Sequence, residues 1–134
     1  MGQLIHKELT RDILAAAMKV HSILKPGLDE KLYENALLIE LVKRGLARNS
    51  RKVSLSTTMV ISSEKMTPDL IVDNLVIIDP KVVEEFNQDH FAQMLGYLAI
   101  TGLQLAILIN FKYASLRWRW IIYSGAEPSG EIIL

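Results

Sequence analysis

Cysteine is absent from the chain. That excludes disulfides and thiolate metal sites, and leaves carboxylates, histidines and carbonyls to hold any metal. Net charge is also missing: 15 Lys and Arg balance 15 Asp and Glu, so no global field draws the chain to nucleic acid or to an anionic surface. Long hydrophobic runs are lacking too. The most apolar stretch, 91–111, is interrupted by Gln93, Gly96, Thr101, Gly102, Gln104 and Asn110, whereas a membrane span needs about 20 predominantly apolar residues. The opening MGQLIHKELT has no apolar core of the kind a secretory signal carries. A cytoplasmic protein with no membrane segment is the expectation. Internal repeats and low-complexity linkers are likewise absent.

What is present is the composition of a globular protein, 50% hydrophobic and 22% charged over 134 residues. That length suits one domain, 1–134, with a core that needs no staples. Thr10 is placed to cap a first helix, in which Ile13, Ala17, Val20, His21 and Leu24 recur at helical spacing before Lys25-Pro26-Gly27 stops it. A second helix is predicted from Asp29 to Gly45, with Leu32, Ala36, Ile39 and Val42 on one stripe. KVSLSTTMVIS and TPDLIV read as strands, and a turn near Asp73-Asn74 leads to a third, LVIID. QDHFAQMLGYLAITG reads as a helix ended by Gly102. LQLAILINF then reads as a buried strand and SLRWRWIIY as an alternating, half-exposed one. The fold class predicted from this order is α/β, a mixed sheet with helices packed on it.

One stretch raises a question about its charges. TPDLIVDNLVIIDPKVV, 67–83, sets Asp69, Asp79 and Lys81 among aliphatic residues, and burying an unpaired charge costs several kcal/mol, on the order of 3–5. Asp79 and Lys81 are two apart and share a strand face. Where Asp69 falls depends on the turn. A two-residue turn pairs 69 with 78 and sends Asp69 to the opposite face, whereas a three-residue turn, Asp73-Asn74-Leu75, pairs 72 with 76 and 69 with 79. Asn74 tolerates the left-handed conformation that a three-residue loop requires, which predicts the odd-length turn. Two carboxylates about 5 Å apart across a ladder repel each other, and a divalent metal such as Mg²⁺ or Mn²⁺ would account for the pair. The competing reading is two strand-end aspartates in water with Lys81 as a partner.

Pro68-Asp69, nine residues, then Asp79-Pro80-Lys81 resembles the signature of the PD-(D/E)XK nuclease superfamily. Gly27-x-x-Glu30-x-x-Tyr33, with the surrounding VHSILKPGLDEKLYENAL, resembles the first two helices of its small GxxExxY family. Gln93-x-x-x-Tyr97 is similar to the QxxxY motif of RecB-type nucleases, and TGLQLAILINF is similar to the GxxExxY family's closing helix-to-strand segment. The resemblance implies a restriction-endonuclease-like core, a central mixed sheet flanked by helices. It also implies Mg²⁺-dependent hydrolysis of phosphodiester bonds in nucleic acid. By the same resemblance Asp69, Asp79 and Glu30 are metal ligands, Lys81 positions the attacking water, and Gln93 and Tyr97 reach the site or the substrate backbone.

Lys43, Arg44, Arg48, Arg51 and Lys52 make a basic run with no acid in it, suited to holding phosphates. A solvated helix end explains the same residues. His21 is expected to pack and hydrogen-bond in the core. Pro80, disfavoured inside a sheet, is expected to bend the strand and re-aim Lys81. The rival to an enzyme is a silent nuclease-fold binding or assembly domain. A homodimer is a further expectation, hinted at by the apolar LAILINF strand and by Trp118 and Trp120.

Overall fold

The computed structural model describes residues 5–46 and 70–123, and the backbone alone of 131–133. The predicted strand KVSLSTTMVIS, Asp69, Arg48, Arg51 and Lys52 lie outside the described residues. Two helices come first, α1 (Lys7–Leu24) and α2 (Glu30–Lys43). Strands β1 (Leu70–Val72) and β2 (Val76–Lys81) precede helix α3 (Gln88–Thr101). Strands β3 (Leu105–Asn110), β4 (Arg117–Ile122) and β5 (Glu131–Ile133) follow. The five described strands form one mixed sheet in the order β1-β2-β3-β4-β5, parallel only between β2 and β3. None of the described helices is long and apolar enough to cross a membrane.

Alternation along the strands divides the core in two. Val76, Ile78, Leu105, Ile107 and Ile109 meet α1 and α2 on one face, with Ile13, Ala17, Leu37 and Leu41. Ile77, Ala106, Leu108 and Ile121 meet α3 on the other, with Met94, Tyr97 and Leu98. β3 is buried at every position because strands cover both its edges and helices both its faces. Its apolar run is therefore covered by its own chain. Trp118 and Trp120 pack on the α1/α2 face.

Two sequence expectations about the helices change on folding. Thr10 is not a cap: it sits inside α1, buried, and its hydroxyl donates to the His6 carbonyl at 2.9 Å. A threonine one turn into a helix can satisfy itself this way. In α2 the stripe of Leu32, Ile39 and Val42 faces outward, while Tyr33, Leu37 and Leu41 are fully buried. The helix is apolar over most of its circumference, so periodicity alone could not choose the inward face. Tyr33 chooses it. Its ring stacks on Phe111 at 4.8 Å, and its hydroxyl donates to the Lys25 carbonyl and accepts the Leu28 N–H.

The hairpin has the odd-length turn. Val72 pairs with Val76 and Leu70 with Ile78. Asp73 and Asn74 both take positive φ, 52° and 59°, two left-handed residues where the sequence argument asked for one.

Candidate active site

The C-terminal ends of parallel β2 and β3 lie side by side, and β4 starts next to them. The register aligns Lys81, Asn110 and Arg117 across the sheet, with Asp79, Leu108 and Arg119 in the row beneath. All six point to the α3 face, since each is an even number of residues from Ile77, Ala106 or Ile121. Asp79 is 3% exposed. Lys81 Nζ lies 3.3 Å from Asp79 Oδ2.

Pro80 does not bend Lys81 away. The strand runs through it to Lys81, the proline is buried, and the Phe111 N–H still bonds the Lys81 carbonyl at 2.9 Å. The described pairing with β1 stops at Ile78, two residues short of Pro80, while the ladder to β3 continues past it. A buried ion pair of this kind contributes little net stability once desolvation is counted.

Glu30 arrives from the opposite face of the sheet. As the first residue of α2 it reaches the end of β2, where its Oε1 accepts the Val82 N–H at 3.3 Å. The loop ahead of it is shaped by Gly27 at φ 110° and by the Tyr33 hydroxyl. Gly27, Glu30 and Tyr33 thus form one local device: a turn, the residue it delivers, and the ring that pins it. Hard carboxylate oxygens suit Mg²⁺ or Mn²⁺. Among the described residues no three His, Asp or Glu side chains gather into a shell, but Mg²⁺ is ordinarily held by one or two carboxylates with water and substrate phosphate. The donors at hand fit such an ion.

Gln93 is half-buried and Tyr97 is buried in the core between α3 and the sheet. His90 stands one turn before Gln93, so 90, 93 and 97 form one stripe of α3. Burial, and secondarily the Lys81 charge, hold the His90 imidazole below the usual 6.5, against the opposing pull of Asp89 and Glu30. Lys43 and Arg44 lie at the far end of α2 from Glu30, about 20 Å along the axis, and Arg44 bonds Glu40 at 2.8 Å. His21 is a packing residue, 8% exposed, with Nε2 at 2.7 Å from the Tyr113 carbonyl.

Several residues beside the site escaped the sequence reading. Asn110, 2% exposed, clamps the chain just past Lys81: its Oδ1 accepts the Val83 N–H at 3.2 Å and its Nδ2 donates to the Val83 carbonyl at 2.8 Å. Arg117 lies over the Tyr113 ring at 4.4 Å and Arg119 over Phe86 at 5.8 Å. The Arg-Trp-Arg alternation did carry a signal for the arginines, which had to share a face. His90 was legible as a third member of the Gln93-Tyr97 stripe.

A family model described as the PD-(D/E)XK nuclease superfamily matches residues 7–121. No curated protein and no solved structure matches the chain.

Proposed function

The chain belongs to the PD-(D/E)XK nuclease superfamily, and from that membership we propose that it hydrolyses phosphodiester bonds in nucleic acid with a divalent ion, Mg²⁺ or Mn²⁺. The observation that carries the proposal is the pair of buried Asp79 and half-buried Lys81 at the end of β2, 3.3 Å apart, with Glu30 bonded to the next residue, Val82. Asp79, Asp69 and Glu30 are the ligands in this reading. The three-residue turn supports including Asp69, because it is the turn length that the sequence argument requires for 69 and 79 to share a face. When bound, the ion supplies an acidified water and neutralises charge on the phosphate.

Lys81 has the protein's own part in the chemistry. Its ammonium, oriented by Asp79, holds the attacking water and meets the charge that develops on the phosphoryl oxygens, a type of term commonly worth about 3 kcal/mol. Gln93 reaches the approach from α3, and Tyr97, buried one turn on, holds that side of the helix against the sheet. In this reading the basic run Lys43, Arg44, Arg48, Arg51 and Lys52 anchors phosphates, with Lys43 and Arg44 at the far end of α2 from Glu30. In this reading the motif Gly27, Glu30 and Tyr33 supports the GxxExxY type within the superfamily, with residues 1–134 as one domain acting in the cytoplasm.

The test is cleavage of end-labelled DNA and RNA oligonucleotides with Mg²⁺ or Mn²⁺, together with calorimetry of metal binding. Asp79→Asn should abolish metal binding and lower cleavage by at least about a hundredfold. A folded wild-type chain that neither binds metal in the presence of oligonucleotide nor cleaves would sink the nuclease reading. The second reading is a silent nuclease-fold assembly domain that forms a homodimer. It is favoured by Leu32, Ile39 and Val42 on α2 and Met18 and Ile23 on α1, all large, apolar and exposed. Sedimentation of the wild type against a variant with polar residues at Leu32, Ile39 and Val42 distinguishes it.

A further inference from the structure

His90 is held on one side of its ring and free on the other. Its Nδ1 accepts the Asn87 N–H at 3.1 Å, and its own backbone N–H donates to Asn87 Oδ1 at 3.0 Å. These reciprocal bonds close a capping box at the start of α3. A ring nitrogen that accepts a hydrogen bond carries the lone pair, so the proton of the neutral imidazole sits on Nε2. Phe86 meets the ring edge-on, with centroids 6.2 Å apart at 87°, and limits its rotation. Among the described residues nothing accepts the Nε2 proton.

The ring lines an open cavity of about 470 Å³ shared with Val83, Asn87 and Tyr113 and rimmed by the exposed Glu84 and Glu85. Lys112 and Arg117 are not part of that lining; they lie over the Tyr113 ring at 5.9 Å and 4.4 Å. Lys81 is near enough for its charge, added to the effect of burial, to favour the uncharged ring. A neutral, oriented N–H within reach of the Lys81 charge matches a phosphate oxygen, and an uncharged donor does not repel a divalent ion nearby.

We propose that His90 is a phosphate-binding residue, donating from Nε2 to a non-bridging oxygen of the nucleic acid backbone while Lys81 supplies the balancing charge. The inference rests on the nuclease reading for its ligand class and extends it to a subsite outside the metal ligands.

Two substitutions separate this role from capping. Glutamine and glutamate at this helix position both return a side-chain acceptor to the N-cap N–H, so both keep the box. His90→Gln also keeps an N–H donor on the far side of the acceptor. His90→Glu puts an anion there. Binding is read by fluorescence anisotropy of a short labelled single-stranded DNA, and of RNA of the same sequence, with a chelator present so that cleavage does not intrude. His90→Gln should bind within about twofold of wild type, and His90→Glu about tenfold more weakly. All three proteins should melt together.

Gln88→Glu, an exposed charge in the same helical turn, controls for long-range repulsion and should stay within about twofold. The assignment is overturned if His90→Glu binds like wild type, if His90→Gln is as weak as His90→Glu, if Gln88→Glu weakens binding as much, or if the wild type binds neither probe. Asp79-dependent cleavage with a fully competent His90→Glu removes the His90 assignment and leaves the nuclease reading standing. His90-dependent binding without cleavage does the reverse.

Discussion

The two faces of the sheet are built from the same strands and end differently. On the α1/α2 face the apolar rows continue to the strand ends, where Ile109 and Phe111 are fully buried under Tyr33 and His21. On the α3 face the rows stop being apolar after Ile77 and Leu108, and Asp79, Lys81, Asn110, Arg117 and Arg119 take over. Helix α3 does not cover these positions with apolar residues either. Its nearest turn offers His90 and Gln93. One face is spent on stability, and the other gives up part of its burial to gather charge where a substrate can enter.

The sharpest way to break the comparison is to damage each face once. Phe111→Ala should cost about 3–5 kcal/mol in urea unfolding, through lost burial and a cavity beneath Tyr33. Asp79→Asn, on the other face, should cost no more than about 2 kcal/mol, because Lys81 can extend to water once its partner is neutral. Similar losses of stability from both would mean that the charged rows are structural after all.

Asn110 belongs to both functions and should show an intermediate effect. Asn110→Ala strands the Val83 N–H and carbonyl and the Lys112 N–H, which Oδ1 also accepts at 3.1 Å. We expect about 2 kcal/mol of destabilisation, and a slower cleavage step because the segment after Lys81 is no longer held. Full activity in a destabilised variant would separate the clamp from the site.

A smaller effect of opposite sign is expected on the stable face. Lys25 ends α1 at φ 65° and ψ 166°, a region that side chains other than glycine enter at a cost of about 1–3 kcal/mol. Lys25→Gly relieves that strain while loosening the unfolded chain, so the net gain should be about 1 kcal/mol, visible as a raised thermal midpoint. An unchanged or lowered midpoint would show that the lysine side chain compensates for its backbone.

The smallest effect is a pH dependence on the α3 face. Folding lowers the His90 pKa below 6.5, chiefly by burial and then through Lys81. The unfolded chain therefore binds the proton more readily. The histidine's contribution to stability is whole above 6.5 and falls away as the pH drops from there to its folded value. Urea midpoints of wild type and His90→Gln should coincide above 6.5, and below it the wild type should lose stability relative to the variant. Midpoints that coincide throughout would contradict the shift.

Much of this architecture could be read in advance. Gly102 ends α3 at φ 80°, as its place after the last apolar turn implied. The continuous apolar run at Leu105–Asn110 became the buried central strand. Even the hairpin parity was legible, because side chains alternate with a strict period of two and one residue more or less in the turn moves a carboxylate to the other face. The inward face of α2 was not legible. Its apolar residues surround the helix, and only Tyr33 against Phe111 breaks the tie.

By itself, then, the sequence determined the order and kind of most described elements, the odd-length turn and the pair Asp79 and Lys81 on one side of a strand, since local periodicity and turn chemistry act over a few residues. The tertiary structure alone decided that Glu30, 52 residues before Val82, bonds to it across the strand end, that Asn110 clamps Val83, and that His90 stands over an open cavity. Those meetings depend on how two strands register and how three helices pack on their faces. No spacing along the chain encodes such distances.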